Sequence, residues 1–505
     1  MSNRNKIGFW LGIPLFFGVL FFPFSESLSP EAQRTLAVAV LMACWWITEA
    51  IPIPATALVP IVAFPFLKIL PAGKVVTAYA DSNIFLFLGG FLLAITMQRW
   101  ELHRRIALRL IRRIGLSPGR LIFGFMIATA FLSMWISNTA TTMMMYPIGL
   151  AIILQISEMK STRNQDLTNT NFETVLMLAI AYAASIGGVG TLIGTPPNIV
   201  FAAAVRSIFP EAPEIGFFQW LLVGVPLVVV FIPVTWLFLT KIALRIRHFP
   251  TGDGKEVIDA EIGKLGNMSR AEKYTLAVFL LTAFGWIFRQ DIELGIFTIH
   301  GWSNLLGIQD HVNDATVAIF ASILLFLIPV NFKKKEFLLN WEWAVRIPWG
   351  ILILFGGGIA LAIGFKSSGL AEWIGNNLSF FSNVPLLIMI VITCLMMTFL
   401  TEVTSNTATS TIFMPILAVT ALAMNIHPYL LMIPATISAS CAFMLPVATP
   451  PNAIIFGSGT VSIPQMAKAG VGLNFIGVLM VTTITYIFAI PVFGILFNQL
   501  PIWAK

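Results

Sequence analysis

The sequence predicts an all-α polytopic membrane protein built as an inverted repeat, with about 11 transmembrane helices and two re-entrant hairpins. Three observations predict it. The 505 residues are 57% hydrophobic and only 10% charged, whereas soluble domains carry about 25% charged residues. The pentapeptide Ser-Asn-Thr-Ala-Thr occurs at 137–141 and again at 405–409, and in both copies a Pro-Ile pair starts ten positions after the Ser, at Pro147 and Pro415. The tetrapeptide Thr-Pro-Pro-Asn likewise occurs once in each half, at 195–198 and 449–452.

A membrane span needs about 20 apolar residues. Such stretches lie near 7–24, 32–49, 51–71, 83–99, 174–193, 217–243, 274–289, 314–330, 349–365, 429–448 and 471–498. The first follows Arg4 and Lys6 without a small-residue cleavage site, so it reads as a retained helix and not a signal peptide. Two further stretches, 119–155 and 384–425, each carry one "SNTAT" near the middle. Each is too long for one helix and too polar at its centre for lipid contact, so each is expected to dip into the membrane and return.

Charge sets the sidedness. Arg99, Arg104, Arg105, Arg109, Arg112 and Arg113 crowd one segment, the polar linker 244–273 is basic, and Lys333, Lys334, Lys335 and Arg346 mark a third. Segment 290–313 has no Lys or Arg. The basic segments share one face if the N-terminus is cytoplasmic and 119–155 returns to that side. The C-terminus then lies outside, and the two halves cross the membrane in opposite directions. "FLGGFLLAI" (87–95) and "LFGGGIALAI" (354–363) extend the internal match. Each precedes a helix-like stretch, Glu101–Ile114 or Gly369–Leu378, and in the first Ile106, Leu110 and Ile114 form a membrane-lying stripe.

Unpaired backbone polar groups cannot face lipid, so a broken helix at membrane depth is buried or lines a wet cavity. Pro196 and Pro450 break their spans, and Thr-Pro-Pro reads as a cap followed by a first helical turn. "SNTAT" reads as a helix start at a hairpin tip for the same reason. Four half-helix N-termini would then converge, each favouring an anion through free N–H groups and the helix dipole. Hydroxyls and unwound carbonyls beside them offer hard oxygen ligands for Na⁺. Broken helices at matching positions of inverted repeats are the pattern of secondary transporters.

Other classes fit less well. The net charge of +7 sits in short inter-helix segments, which follows topology and does not point to nucleic acid. Cys44, Cys394 and Cys441 give neither a disulfide framework nor a metal spacing. No His-Glu-x-x-His occurs, and the five histidines lie outside the spans or at their ends, so no intramembrane enzyme is expected. Glu402, beside the second tip, is the intramembrane carboxylate expected to face the cavity or tune a cation site. Glu49 and Asp81, at span ends, are expected to be solvated or structural.

From "WWITEAIPIPATALVPI" (45–61) to the last helix, with both "SNT" and "TPP" pairs in order, the chain resembles the divalent anion:sodium symporter family, the sodium-coupled dicarboxylate, citrate and sulfate transporters. The resemblance implies an elevator-type transporter in the cytoplasmic membrane. It further implies a homodimer, with lipid, Na⁺ and a small dicarboxylate (succinate, malate or fumarate) as partners and Na⁺ as coupling ion. An exchanger of the same fold, or citrate or sulfate as cargo, is the alternative. By this resemblance residues 1–82 hold the scaffold helices of the first repeat and 83–243 its re-entrant hairpin and broken helix. Residues 244–273 form a cytoplasmic linker, 274–348 the scaffold of the second repeat, and 349–505 its hairpin and broken helix. Substrate contacts map to Asn138, Thr139, Thr195, Pro196, Asn406, Thr407, Thr449 and Pro450. One sodium site maps to Ser133, Ser137, Asn138 and Gly187 or Gly188, the other to Thr401, Thr404, Asn406 and Ala448.

Overall fold

A computed structural model describes residues 3–22, 27–115, 117–162, 171–246, 254–293, 298–377, 384–497 and 499–504. The far end of the first expected span (23–24), the last residue of the second helix-like stretch (378) and linker residues 247–253 lie outside them. Helix α1 (Asn3–Phe21) pairs along its length with α2 (Pro30–Thr48). Ser29 starts α2 by accepting the Ala32 N–H at 3.1 Å, with Pro30 in the first turn, and left-handed Glu49 (φ 51°) ends it. The span expected at 51–71 is instead two short helices, α3 (Ile53–Thr56) and α4 (Val59–Phe66). Pro52, Pro54, Pro60 and Pro65 remove too many N–H donors for one continuous helix.

Short α5 (Ala72–Thr77) leads to α6 (Ser82–Arg99), capped by Asp81, whose carboxylate accepts the Asn83 N–H at 2.9 Å. Gly89 of α6 lies against the backbone of Ala318, and a Cβ there would collide with it. The amphipathic α7 (Leu102–Ile114) carries its expected stripe beside a separate buried line. Ile106, Leu110 and Ile114 are only half-buried, and the fully buried line is Leu102, Arg105, Leu108 and Ile111. It packs against protein on α8, so its innermost face is set by that neighbour and not by lipid.

The first hairpin is α8 (Pro118–Ser133) and α9 (Asn138–Thr162); α10 (Phe172–Gly188) and α11 (Pro196–Ile208) follow with an unwound stretch between them. Then come α12 (Phe217–Leu237), which runs on as a π-helical turn, and the linker helix α13 (Gly254–Leu265). Helix α14 (Arg270–Ile287) opens with a reciprocal Ser269–Glu272 cap. Short α15 (Trp302–Leu305) precedes α16 (Asp314–Leu327), and α17 (Trp341–Ala344) precedes α18 (Trp349–Ser367) and α19 (Leu370–Asn377). The second hairpin is α20 (Leu386–Thr401) and α21 (Asn406–Ala423), and the second broken helix α22 (Tyr429–Ser438) and α23 (Pro450–Phe456). Helices α24 (Ile463–Ile484) and α25 (Ile490–Val492), joined by a π-helical turn, follow, with a 3-10 turn at Ile502–Ala504 after them. Two short antiparallel ribbons, 292–293 with 298–299 and 329–331 with 336–337, were not expected.

Among the described residues, five helical segments are long and apolar enough to cross a membrane: Ala72–Arg99, Phe217–Ala243, Trp349–Ser367, Asn406–Ala423 and Ile463–Val492. The core sits on the broken helices. Every residue from Thr174 to Gly188 of α10, and all of α22, is buried. A helix apolar on all sides belongs inside, whereas α12 and α24 expose Leu222, Val229, Phe475 and Leu479 as a lipid-facing surface does. The second half-helices are exchanged between the halves of the chain: α11 packs on α21, and α23 on α9. That exchange draws both hairpin tips to both breaks.

Candidate functional site

Both hairpins break at their polar tips. Helix α9 begins at Asn138 and α21 at Asn406, each with a Ser before it; Ser137 Oγ accepts the Ala140 N–H at 3.4 Å. Thr195 and Thr449 are the extended caps of α11 and α23, with Pro at the first helical position, and Thr449 Oγ1 accepts the Asn452 N–H at 3.3 Å. All four helix starts meet at a cavity of about 550 Å³, within the ~300–1,000 Å³ usual for small-molecule sites. All eight expected substrate residues line it: Asn138, Thr139, Thr195, Pro196, Asn406, Thr407, Thr449 and Pro450. Thr195 Oγ1 also lies 3.5 Å from Ser440 Oγ, where one broken helix meets the other.

Behind each tip is a nest of oxygens. Ser133 Oγ lies 2.7 Å from Asn138 Oδ1 and 2.7 Å from the Ala184 carbonyl. Thr401 Oγ1 lies 2.6 Å from Asn406 Oδ1 and 3.1 Å from the Ala439 carbonyl. A hydroxyl has one proton to donate. With the amide oxygens turned inward, each nest therefore holds three oxygens and one proton, a donor-poor arrangement that a small hard cation relieves. Gly188 adds to the first nest by close approach, because a Cβ there would collide with Asn138 Oδ1, and one on Gly187 with the backbone of Ala130.

Of the expected cation ligands, Ser137, Asn138, Thr404, Asn406 and Ala448 reach the cavity wall, while Ser133, Gly187, Gly188 and Thr401 sit buried behind it. The Thr404 hydroxyl is engaged with Thr409 Oγ1 at 2.5 Å and the Leu400 carbonyl at 2.8 Å. Among the described residues no cluster of three His, Cys, Asp or Glu side chains fits a transition metal.

The last residue of each tetrapeptide does work that the sequence reading left unassigned. Asn198 Nδ2 donates to the carbonyls of Gly188, Val189 and Thr191, and Asn452 Nδ2 to those of Ala442 and Leu445. Each amide thus replaces the helical N–H groups its broken helix lacks. The clue was positional, since an Asn in the first turn of the second half-helix points back over the break. The donors of the second break are met by Glu402: its carboxylate accepts the N–H groups of Phe443, Met444 and Leu445 at 2.8, 2.9 and 3.1 Å. Glu402 is 3% exposed and faces the unwound backbone. Glu49 is exposed, as its place at a span end predicts, and it also lines the cavity.

The model of the sodium:sulfate symporter transmembrane region matches residues 5–495. The chain belongs to this family. Sodium:sulfate symporters are transporters and not enzymes, consistent with a site made of caps, amides and hydroxyls. A family relative from Staphylococcus saprophyticus, named sodium-dependent dicarboxylate transporter SdcS, is 46% identical over 491 residues, covering 97% of this chain and 92% of its own. The Staphylococcus aureus protein of that name is 47% identical over 501 residues, 99% of this chain and 94% of its own. Two solved structures share the fold at low identity. They are the YdaH transporter of Alcanivorax borkumensis (TM-score 0.51, 11% identical, 89% of this chain and 97% of that one) and MtrF of Neisseria gonorrhoeae (TM-score 0.54, 12% identical, 96% and 98%).

Proposed function

We propose that the protein is a secondary active transporter that carries a small dicarboxylate, such as succinate, malate or fumarate, together with Na⁺. The observation that carries this reading is the convergence of all eight motif residues on one cavity, in a chain whose relatives are named sodium-dependent dicarboxylate transporters. Na⁺ binds the two oxygen nests, at Ser133, Ser137, Asn138 and the Gly187–Gly188 backbone, and at Thr401, Thr404, Asn406 and Ala448. The dianion then binds between the tips, held by helix N-termini, Asn138 and Asn406 amides and Thr139, Thr195, Thr407 and Thr449 hydroxyls. Cation charge beside Asn138 and Asn406 offsets the negative charge of the cargo, which makes Na⁺ a condition for binding it.

The two halves act as inverted repeats, 83–243 and 349–505, whose hairpins and broken helices form the moving unit. Residues 1–82 and 274–348 form a scaffold and dimer contact, the N-terminus is cytoplasmic and the C-terminus outside. Movement of that unit past the scaffold is an elevator step. With the N-terminus cytoplasmic, a cavity that reaches Arg4 and Glu49 supports a cytoplasm-open conformation. The family's description names sulfate, so sulfate is the second reading of the cargo.

Purified protein in liposomes tests this through labelled succinate uptake with and without an inward Na⁺ gradient. Gradient-dependent uptake into empty liposomes, competed by malate and fumarate, is the expected result. Uptake that ignores Na⁺ and appears only with internal dicarboxylate identifies an exchanger and overturns the symport reading. Competition by sulfate alone replaces the cargo.

A further inference from the structure

We infer that Arg4 steers the anionic cargo at the cytoplasmic mouth of the cavity, an inference that rests on the dicarboxylate reading above. Among the described residues lining the cavity, Arg4 is the one Lys or Arg. It is exposed and makes no ion pair among the described residues. Its position is fixed by two contacts: its guanidinium donates to the Ile47 carbonyl, and the neighbouring Asn5 amide donates to the Glu49 carbonyl at 2.7 Å. The first turn of α1 is thereby fastened to the last turn of α2. The left-handed turn at Glu49 (φ 51°) ends α2 at the cavity wall.

The plain structural role of Arg4 is to complete the C-terminus of α2, where a cation meets a free carbonyl and the negative end of the dipole. That role alone needs no place on the cavity wall. The inner end of the cavity is neutral, built of Asn, Thr, Ser and Pro around the helix starts, and its mouth carries one charge of each sign. Arg4 therefore also offsets the exposed Glu49 carboxylate that would repel an anion. A dianion leaving water for such a site gains from a positive charge on its path, and low-dielectric walls focus that field. Because Arg4 sits at one mouth, its effect belongs to one face of the membrane. It acts on capture and release at the cytoplasmic side and leaves capture from outside unchanged.

Na⁺-driven succinate uptake into right-side-out and inside-out membrane vesicles separates these roles, with R4Q and R4K compared to the unaltered protein. R4Q raises the KM in inside-out vesicles by about threefold to tenfold, as one partly screened charge supplies. The external KM stays within about twofold, R4K restores the cytoplasmic KM, and raising ionic strength with choline chloride at fixed Na⁺ raises that KM in the unaltered protein far more than in R4Q. A KM that R4Q shifts equally on both faces, or on the outer face alone, overturns the inference. So does a fall in maximal rate and melting temperature with KM unchanged, which leaves only the capping role. Absence of Na⁺-driven uptake by the unaltered protein in right-side-out vesicles instead sinks the transport reading itself.

Discussion

The carboxylate of Glu402 accepts the side-chain amide of Asn474 at 2.8 Å while it holds three successive backbone N–H groups of the second broken helix. It links the second hairpin tip, the unwound stretch ahead of Ala448 and Thr449, and α24. A glutamine there turns an N–H₂ group toward donors. E402Q is expected to destabilise the protein by about 2–4 kcal/mol, the range for removing one charged partner of buried hydrogen bonds. Thermal unfolding in detergent measures the loss, and E402Q with an unchanged melting temperature would show that the carboxylate is dispensable to the break.

The two oxygen nests predict separable cation effects. S133A removes the hydroxyl between Asn138 and Ala184, and T401A the one between Asn406 and Ala439. Each is expected to raise the Na⁺ concentration for half-maximal succinate uptake by roughly tenfold, the worth of one interaction with a charged group. The KM for succinate at saturating Na⁺ should change little. A shift in that KM with unaltered Na⁺ dependence would place both hydroxyls on the cargo instead.

Asn198 and Asn452 carry out matching work, so their alanine variants should behave alike. N198A frees the carbonyls of Gly188, Val189 and Thr191, and N452A those of Ala442 and Leu445. Leaving buried carbonyls unmet costs about 1–3 kcal/mol. Lower melting temperatures and slower transport are expected from both. Wild-type stability in either variant would mean that other donors satisfy the breaks.

Arg105 pairs with Glu272 through two parallel contacts, Nε to Oε1 at 2.6 Å and Nη2 to Oε2 at 3.2 Å, and also donates to the Leu265 and Gly266 carbonyls. Both side chains are buried, which ties α7 to the start of α14. Removing one partner strands a buried charge at about 3–5 kcal/mol. R105A and E272A should each destabilise by that order, and the double variant by less than their sum. An additive cycle in thermal unfolding would deny the coupling.

The chain's own sequence determined the class of the protein, its two hairpin tips and its two helix breaks. Those features follow from local chemistry: an apolar composition that only lipid explains, proline that forbids a helix interior, and Ser, Thr and Asn that satisfy helix starts. The family resemblance, beyond what that local chemistry gives, named eight of the residues that line the cavity. Tertiary structure alone decided the partners. Glu402 meets residues about 40 positions ahead, α11 and α23 cross to the opposite hairpins, and the span expected at 51–71 divides at its prolines. The buried line of α7 falls where α8 packs, beside the half-exposed apolar stripe read from its spacing. Helix starts are written within four residues, but which oxygens face a nest and which charge faces a cavity depends on packing between segments hundreds of residues apart.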